Sequence, residues 1–159
     1  MIPIDDLRKI IILEKLSDEM FEKVIPTVNV LKLTEQETVF NEGSDAKYLY
    51  MLRTGKVLLE KRISDKITVS LGAIKPGFSF GWSSIFGEPY SFMAICAETS
   101  EILMINANKI LSLMQEDHSL GFSLMQSLTR MMKNRMDRIQ EQFLKAIKEH
   151  PDFESLLDV

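Results

Sequence analysis

The side chains that most often perform catalysis are few in this sequence and stand apart from one another. His118 and His150 are isolated, and Cys96, the single cysteine, lies in the apolar alternation of residues 95–97. A buried, inert thiol is expected there, with no internal disulfide and no thiol metal site. Paired carboxylates on a defined element are absent, and so is a glycine-rich P-loop between a strand and a helix. These patterns predict a protein that is not an enzyme.

The elements that would position a binding site fall into three consecutive groups within one domain, residues 1–159. Residues 1–26 are expected to be helical: one helix from Ile4 to Leu16, then a second that Ser17 caps and that stops near Pro26. Residues 27–106 show a period of two, with turn residues every eight to twelve positions, as in an antiparallel β-roll. Residues 107–150 return to a helical period, so the fold class is α+β with segregated parts.

Seven strands are expected in the β-roll, and two helices are expected after it. The strands are Val28–Leu33, Thr38–Asn41, Tyr48–Arg53, Lys56–Arg62, Ile67–Ile74, Phe92–Ala97 and Glu101–Ile105. Asn106 is a suitable N-cap for the first of the two helices. The second and longer helix is expected from about Ser119 to His150, where Pro151 would end it.

Five short motifs follow one another at the spacings that the turns of such a roll require. They are Phe40-Asn41-Glu42-Gly43-Ser44, Tyr48-Leu49-Tyr50, Thr54-Gly55-Lys56-Val57, Pro76-Gly77-Phe78-Ser79-Phe80-Gly81 and Ser100-Glu101-Ile102-Leu103-Met104-Ile105. Each glycine also suits a tight turn or a positive φ. Together the motifs resemble the cyclic-nucleotide-binding domain of catabolite-activator and Fnr-type bacterial regulators, cyclic-nucleotide-dependent kinases and gated channels, over residues 5 to 145.

The resemblance implies a phosphate-binding cassette at residues 80–93, a short helix whose first backbone amides face the ligand phosphate. In the family a glutamate in the cassette holds the ribose hydroxyl and an arginine holds the phosphate. This chain has Trp82 and Tyr90 at those two positions, and its Gly-Trp-Ser sequence resembles a subset of uncharacterised bacterial members. The double change Trp82→Glu and Tyr90→Arg is therefore expected to restore both contacts.

Two interpretations of this altered cassette remain open from the sequence. In one, backbone amides and the Ser83 and Ser84 hydroxyls still cradle an anion, so the ligand would be cyclic AMP, cyclic GMP or another small planar molecule, with no required cofactor. In the other, Trp82, Tyr90 and Phe92 fill the pocket, since aromatic side chains at half-buried strand positions more often form core. The candidate ligand-binding residues of the cassette are Phe80, Gly81, Trp82, Ser83, Ser84, Ile85, Tyr90, Ser91 and Phe92.

The long terminal helix carries an apolar stripe that predicts pairing with a second copy of the chain. Its members are Met125, Met132, Met136, Ile139 and Phe143, and from Met132 the steps alternate between four and three, as in a heptad seam. The resemblance places a subunit interface on this helix and ligand-base contacts at Ile139 and Gln140. A basic run, Arg130, Lys133, Arg135 and Arg138, is interrupted by acidic residues and is expected to form a solvated face.

Composition limits the classes of partner. The chain has 159 residues, 45% of them hydrophobic and 26% charged, and a net charge of -4, so no general basic field attracts nucleic acid. Because only nine residues follow His150, we expect no winged helix-turn-helix and no specific DNA binding. No apolar run at the N-terminus could span a bilayer. The sequence predicts a cytoplasmic regulatory sensor that signals through its terminal helix to a protein partner, or else a dimerisation or scaffolding module that binds no ligand.

Overall fold

Strands with alternating burial form two antiparallel sheets in the computed structural model, which describes residues 2–152. The strands are β1 (Val28–Leu33), β2 (Thr38–Phe40), β3 (Tyr48–Thr54), β4 (Val57–Arg62), β5 (Thr68–Ile74), β6 (Ser79–Phe80), β7 (Met93–Cys96) and β8 (Ser100–Asn106). Their order is β1-β8-β3-β6 in one sheet and β2-β7-β4-β5 in the other. The seven predicted strands are confirmed to within one residue at each end, and the two-residue strand β6 was missed.

The turn between β3 and β4 shows why a glycine is required at one of the predicted positions. Gly55 has φ +93°, and a Cβ there would lie 2.6 Å from the carbonyl oxygen of Thr99. Any side chain would push this turn away from the start of β8. The glycine thus allows β4 to leave the first sheet at a sharp angle and enter the second.

The N-terminal segment differs from the single helix predicted for Ile4 to Leu16. Only α1 (Ile4–Leu7) is helical, and turns follow it until Ser17 caps α2 (Asp18–Val24) through a hydrogen bond from the Met20 amide. The prediction was wrong because residues 10–13 turn inward: Ile10, Ile12 and Leu13 are all buried, which a continuous helix with one apolar face would not achieve. A 3-10 turn, Ile25–Thr27, replaces the last part of the second helix at Pro26.

Two apolar cores result from this arrangement. One lies between the two sheets and contains Leu52, Val57, Phe80 and Ile102. The other lies between the first sheet, the N-terminal segment and the C-terminal helices, where Leu7, Phe21 and Leu120 are fully buried. The second core holds the helices against one face of the β-roll. The candidate site therefore depends on both the roll and the helices for its position.

The terminal helices are α4 (Ala107–Glu116) and α5 (His118–Lys148), and a short helix, α3 (Ser83–Phe86), lies within the roll. The side chain of Asn106 caps α4 as predicted, and that of Asp117 caps α5. At 31 residues, α5 is about 46 Å long. Its first half packs on the roll down to Met131, and most residues after Met131 are exposed.

Candidate functional site

Residues 79–93 leave the first sheet at β6, turn at Gly81, form α3 and return to the second sheet at β7. Gly81 has φ +75°, and a Cβ there would lie 3.0 Å from Cδ2 of Tyr50 and 3.3 Å from Cε1 of Tyr90. Only glycine fits between these two rings in that conformation. The turn therefore sends the chain out of the roll interior and carries Trp82, the residue that follows it, to the outer side.

Four rings inside the roll form what we call the interior stack: Phe40, Tyr50, Phe80 and Tyr90. Tyr90 stacks on Phe40 with ring centroids 3.8 Å apart and an interplanar angle of 16°, and Tyr50 stacks on Phe80 at 5.4 Å. All four rings are buried. Aromatic pairs at such separations stabilise a fold beyond their area burial, so this stack forms part of the core.

The phenols of the interior stack are satisfied and neutral. The Tyr90 hydroxyl donates to the carbonyl oxygen of Tyr48 at 2.8 Å and accepts from the Tyr48 amide at 3.2 Å. Burial raises the pKa of Tyr50 well above its usual value, with Tyr90 adding to the effect, and burial also raises the pKa of Tyr90. Tyr90 thus closes the interior of the roll with a neutral group.

A second group, which we call the rim cluster, consists of Trp82, Phe92 and Arg135. The guanidinium carbon of Arg135, on α5, lies 5.7 Å from the ring centroid of Trp82 and 5.7 Å from that of Phe92. All three side chains are half-buried. Cation–π contacts of this kind stabilise a partly desolvated cation, so the cluster ties α5 to both ends of the cassette.

Hydroxyl groups and a second cation border the rim cluster. Ser83 and Ser91, which are the sequence neighbours of Trp82 and Phe92, bring their hydroxyl oxygens to 3.4 Å from each other. Lys61 lies 5.8 Å from the Phe92 ring centroid and donates to the Ser91 carbonyl oxygen at 3.1 Å. Because Lys61 is also paired with a carboxylate, that of Glu42, its charge is already compensated.

A buried chain of hydrogen bonds joins the cassette to α5. The indole nitrogen of Trp82 donates to the Ser79 hydroxyl at 2.9 Å, and that hydroxyl lies 3.7 Å from the sulfur of Met131, to which it donates. Ser79 is 1% exposed, so the chain is shielded from water. Met131 and Arg135 are one turn apart on α5, and both therefore contact Trp82 or its direct partner.

The remaining predicted site residues are dispersed. Ser84 is buried, and its hydroxyl donates to the Gly81 carbonyl oxygen at 2.9 Å, so it stabilises the turn. Ile85 lies over an apolar cavity of about 20 Å³, roughly one water molecule in size, whose lining includes Leu124 and Leu128 of α5. Ile139 and Gln140 lie on the exposed second half of α5, beyond the rim cluster.

The solvated face predicted for the basic run is confirmed for Arg130 and Arg138, which are exposed, and is wrong for Arg135. Arg135 turns inward because it continues the face of α5 that includes Leu128 and Met131. Its spacing from Met131, one turn away on that buried face, was the signal that could have identified it. Ser79 was also missed as a site residue, since nothing in the sequence indicates that its hydroxyl meets an indole.

Residues 2–152 contain neither a metal-binding cluster nor a membrane-spanning helix. None of these residues form a group of three or more His, Cys, Asp or Glu side chains able to hold a metal ion. No helix in the same part of the chain is long and apolar enough to cross a bilayer.

Comparison with known proteins adds a family context to this geometry. A family model for the cyclic nucleotide-binding domain matches residues 30–117. The chain is 24% identical over 135 residues to the anaerobic regulatory protein of Bacillus subtilis, an alignment that covers 84% of this chain and 57% of the relative. The chain therefore spans little more than half the length of that curated relative.

Two solved structures illustrate the likeness of fold. A cyclic nucleotide-binding domain from Methylobacillus flagellatus superposes with a TM-score of 0.72 at 22% identity, covering 87% of this chain and 80% of the other. The regulatory domain of Toxoplasma gondii PKA, solved with cAMP, gives a TM-score of 0.62 at 17% identity over 69% of this chain and 42% of the other. At these identities the likeness shows the fold alone.

Proposed function

The chain belongs to the cyclic nucleotide-binding domain family, and from that premise we propose that it is a regulatory sensor that binds a small ligand at the rim cluster and reports its presence through α5. One observation supports this most directly. Trp82 is joined to α5 twice, through Ser79 to Met131 and through its ring to Arg135. A ligand that moves Trp82 must therefore strain or release α5, which is the coupling that a sensor requires.

Cyclic nucleotides are the proposed ligand class. A purine is planar and can stack on Trp82 or Phe92, and a cyclic phosphate carries one negative charge that suits Arg135 and the Ser83 and Ser91 hydroxyls. The similar Toxoplasma regulatory domain was solved with cAMP. We propose a protein partner as the recipient of the signal, since α5 extends well past the roll.

The interior stack favours a second candidate, a scaffolding module that binds no ligand. Tyr90 is 4% exposed and stacks closely on Phe40. If Tyr90 occupies the phosphate-binding position, as the resemblance implies, that part of the cassette is filled. On this account the rim cluster only fastens α5 to the roll. The two candidates differ in whether any small molecule raises the stability of the native state.

A titration of Trp82 emission distinguishes them, because Trp82 is the only tryptophan. Cyclic AMP and cyclic GMP are added in separate titrations, with 5′-AMP as a control that carries a second phosphate charge. A sensor shows saturable change with at least one cyclic nucleotide and a matching rise in melting temperature, about 2.7 kcal/mol of stability at a hundredfold excess over Kd. If neither quantity changes with any of the three nucleotides, the scaffold is the correct account.

We also propose that α5 pairs with α5 of a second copy. Met136, Ile139 and Phe143 are 61%, 54% and 64% exposed and continue the heptad seam, so the second half of the helix has no apolar cover within residues 2–152. Met136→Arg would place charge in such a seam and should shift light-scattering mass toward monomer. Asn134→Arg, on the opposite side of the helix, is the matched control. A wild-type monomer at tens of micromolar would contradict the proposal.

A further inference from the structure

We propose that Arg135 is the anion-binding residue of this domain, supplied to the cassette by α5 at the rim where Trp82 and Phe92 hold it. This inference rests on the proposed function for the identity of the ligand, a planar ring with a singly charged phosphate. It goes beyond that function in assigning the charged contact to a terminal-helix residue. The position that the family uses for this contact holds Tyr90, which is closed within the interior stack.

The geometry at Arg135 leaves its donors available. A guanidinium is planar and carries five N–H donors at its edge, and rings contact it through its face. Arg135 lies within 5.7 Å of both ring centroids, and no hydrogen bond or ion pair joins it to another side chain within residues 2–152. The two rings therefore fix the position of the cation without using its hydrogen-bonding capacity.

Arg135 differs from every other arginine of the chain in its environment. Arg8, Arg53 and Arg62 are paired with carboxylates. Arg130 and Arg138 are exposed, so water solvates their charge. Within residues 2–152, Arg135 alone is half-buried with no carboxylate partner, and burial, followed by repulsion from Arg138, lowers its pKa from the usual value. A partly desolvated and uncompensated cation is the environment in which an anion gains most from binding.

The groups around Arg135 complete an anion site rather than neutralise it. The acidic residue nearest along the helix, Asp137, is paired with Lys133 at 2.6 Å. The Ser83 and Ser91 hydroxyls, which follow Trp82 and precede Phe92 in the chain, lie 3.4 Å from each other. An anion at this rim would be held by one charged fork and two hydroxyls, with aromatic faces beside it.

The proposal also gives α5 a direct part in signalling. A ligand phosphate would change the position of the Arg135 guanidinium relative to the Trp82 ring, either drawing it away or holding it in place. Because Arg135 belongs to α5, this force would act on the helix. Binding energy would thus act on the helix without passing through the roll interior. A neutral planar molecule that stacks on the rings would lack this effect, so charge selects the ligands that signal.

The experiment has one arm that uses a ligand and one that does not. In the first arm, the dissociation constants of cyclic AMP and cyclic GMP are measured by Trp82 emission for wild type, Arg135→Gln, Arg135→Lys and the control Arg138→Gln. We expect Arg135→Gln to weaken binding about tenfold to a hundredfold, the range of a lost charge-assisted bond. Arg135→Lys should restore part of the loss, and Arg138→Gln should stay within about threefold of wild type.

In the second arm, Trp82 emission is quenched with iodide, an anion, and with acrylamide, which is neutral. Because Arg135 lies over the Trp82 ring, the wild-type ratio of iodide to acrylamide quenching should exceed that of Arg135→Gln by about twofold, and Arg138→Gln should resemble wild type. The acrylamide value corrects for any change in the exposure of the indole.

The two arms separate failure of this inference from failure of the proposed function. Equal nucleotide affinity in wild type and Arg135→Gln would overturn the role of Arg135 and leave the sensor intact. If no cyclic nucleotide binds but the iodide ratio still falls in Arg135→Gln, the ligand class is wrong and the anion site stands. Absence of both effects would overturn both proposals.

Discussion

The interior stack and the rim cluster are built from the same stretch of chain and from the same residue types, yet they differ in charge and closure. In the interior stack every ring is buried and the Tyr90 hydroxyl has both its partners. In the rim cluster the rings are half-buried and contact a cation that has no carboxylate partner in the described part of the chain, residues 2–152. The difference shows that aromatic residues of one segment can close one half of it completely and leave the other half partly exposed.

The largest expected effect comes from introducing a charged side chain into the interior stack, compared with introducing one into the rim cluster. Tyr90→Arg should destabilise the fold by about 5 kcal/mol or more, because it buries an unpaired guanidinium against Phe40 and removes both bonds to Tyr48. Trp82→Glu should cost only about 1–2 kcal/mol, since its carboxylate can pair with Arg135. Urea unfolding of the two variants checks this. Similar costs would show that the rim is as closed as the interior.

This contrast also changes what the double variant Trp82→Glu, Tyr90→Arg is expected to do. The sequence alone predicted that it would restore two ligand contacts. In the structure, the Tyr90→Arg part must first displace a ring that stacks 3.8 Å from Phe40. We therefore expect the double variant to unfold at a lower urea concentration than Trp82→Glu. This loss of stability should outweigh any gain in ligand binding.

The second prediction compares the loss of a ring at each place. Phe80→Ala should cost about 3–5 kcal/mol, because Phe80 is 1% exposed and its removal leaves a cavity beside Tyr50. Phe92→Ala should cost about 1–2 kcal/mol because Phe92 is partly exposed to water. Thermal unfolding measures both. A cost for Phe92→Ala as large as that for Phe80→Ala would mean that the rim rings are core residues.

The third prediction uses pH. The pKa of Tyr50 and that of Tyr90 are both raised in the folded protein, so the folded state holds protons that the unfolded state releases above about pH 10. Their stabilising contribution is complete below that pH and is lost as pH rises toward the folded pKa values. Each tyrosine should cost up to about 1.4 kcal/mol per pH unit above pH 10. Tyr90→Phe should reduce this slope in urea unfolding at pH 10 and 11, and an unchanged slope would contradict it.

The sequence was sufficient for the fold because its signals are periodic. The period of two, the glycines at turns such as Gly55, and the caps Ser17 and Asn106 are local features, and each was confirmed. The helix predicted from Ile4 to Leu16 failed because tertiary burial of Ile12 and Leu13 outweighs local helical propensity. The two-residue strand β6 is too short to show any period.

The site was less predictable, because it depends on contacts between residues distant in sequence. The resemblance predicts which residues form the cassette, and one interpretation of the sequence has Trp82, Tyr90 and Phe92 filling the pocket. Of these three, only Tyr90 lies in the interior stack. Residue type alone does not separate Tyr90, which is buried in the interior, from Trp82, which lies at the rim. Arg135 and Trp82 are 53 positions apart in the sequence, and only the packing of α5 on the roll brings them together.

The smallest expected effect concerns the link between the rim cluster and α5. Ser79→Ala removes the acceptor of the Trp82 indole and the donor to Met131, and it should cost about 0.5–1.5 kcal/mol because one hydroxyl is lost and the cavity is small. The indole N–H is then left without its partner, so Trp82 emission should shift and its steady-state anisotropy should fall. Ser112→Ala, which removes an exposed hydroxyl on α4 away from the rim cluster, is the matched control. If a cyclic nucleotide binds, Ser79→Ala should retain the wild-type affinity. The ligand should, however, change the conformation of α5 less than in wild type, as measured by the rate of proteolysis at Arg138 or Lys145. An unchanged anisotropy together with an unchanged proteolytic response would show that Arg135 alone connects the rim cluster to the helix.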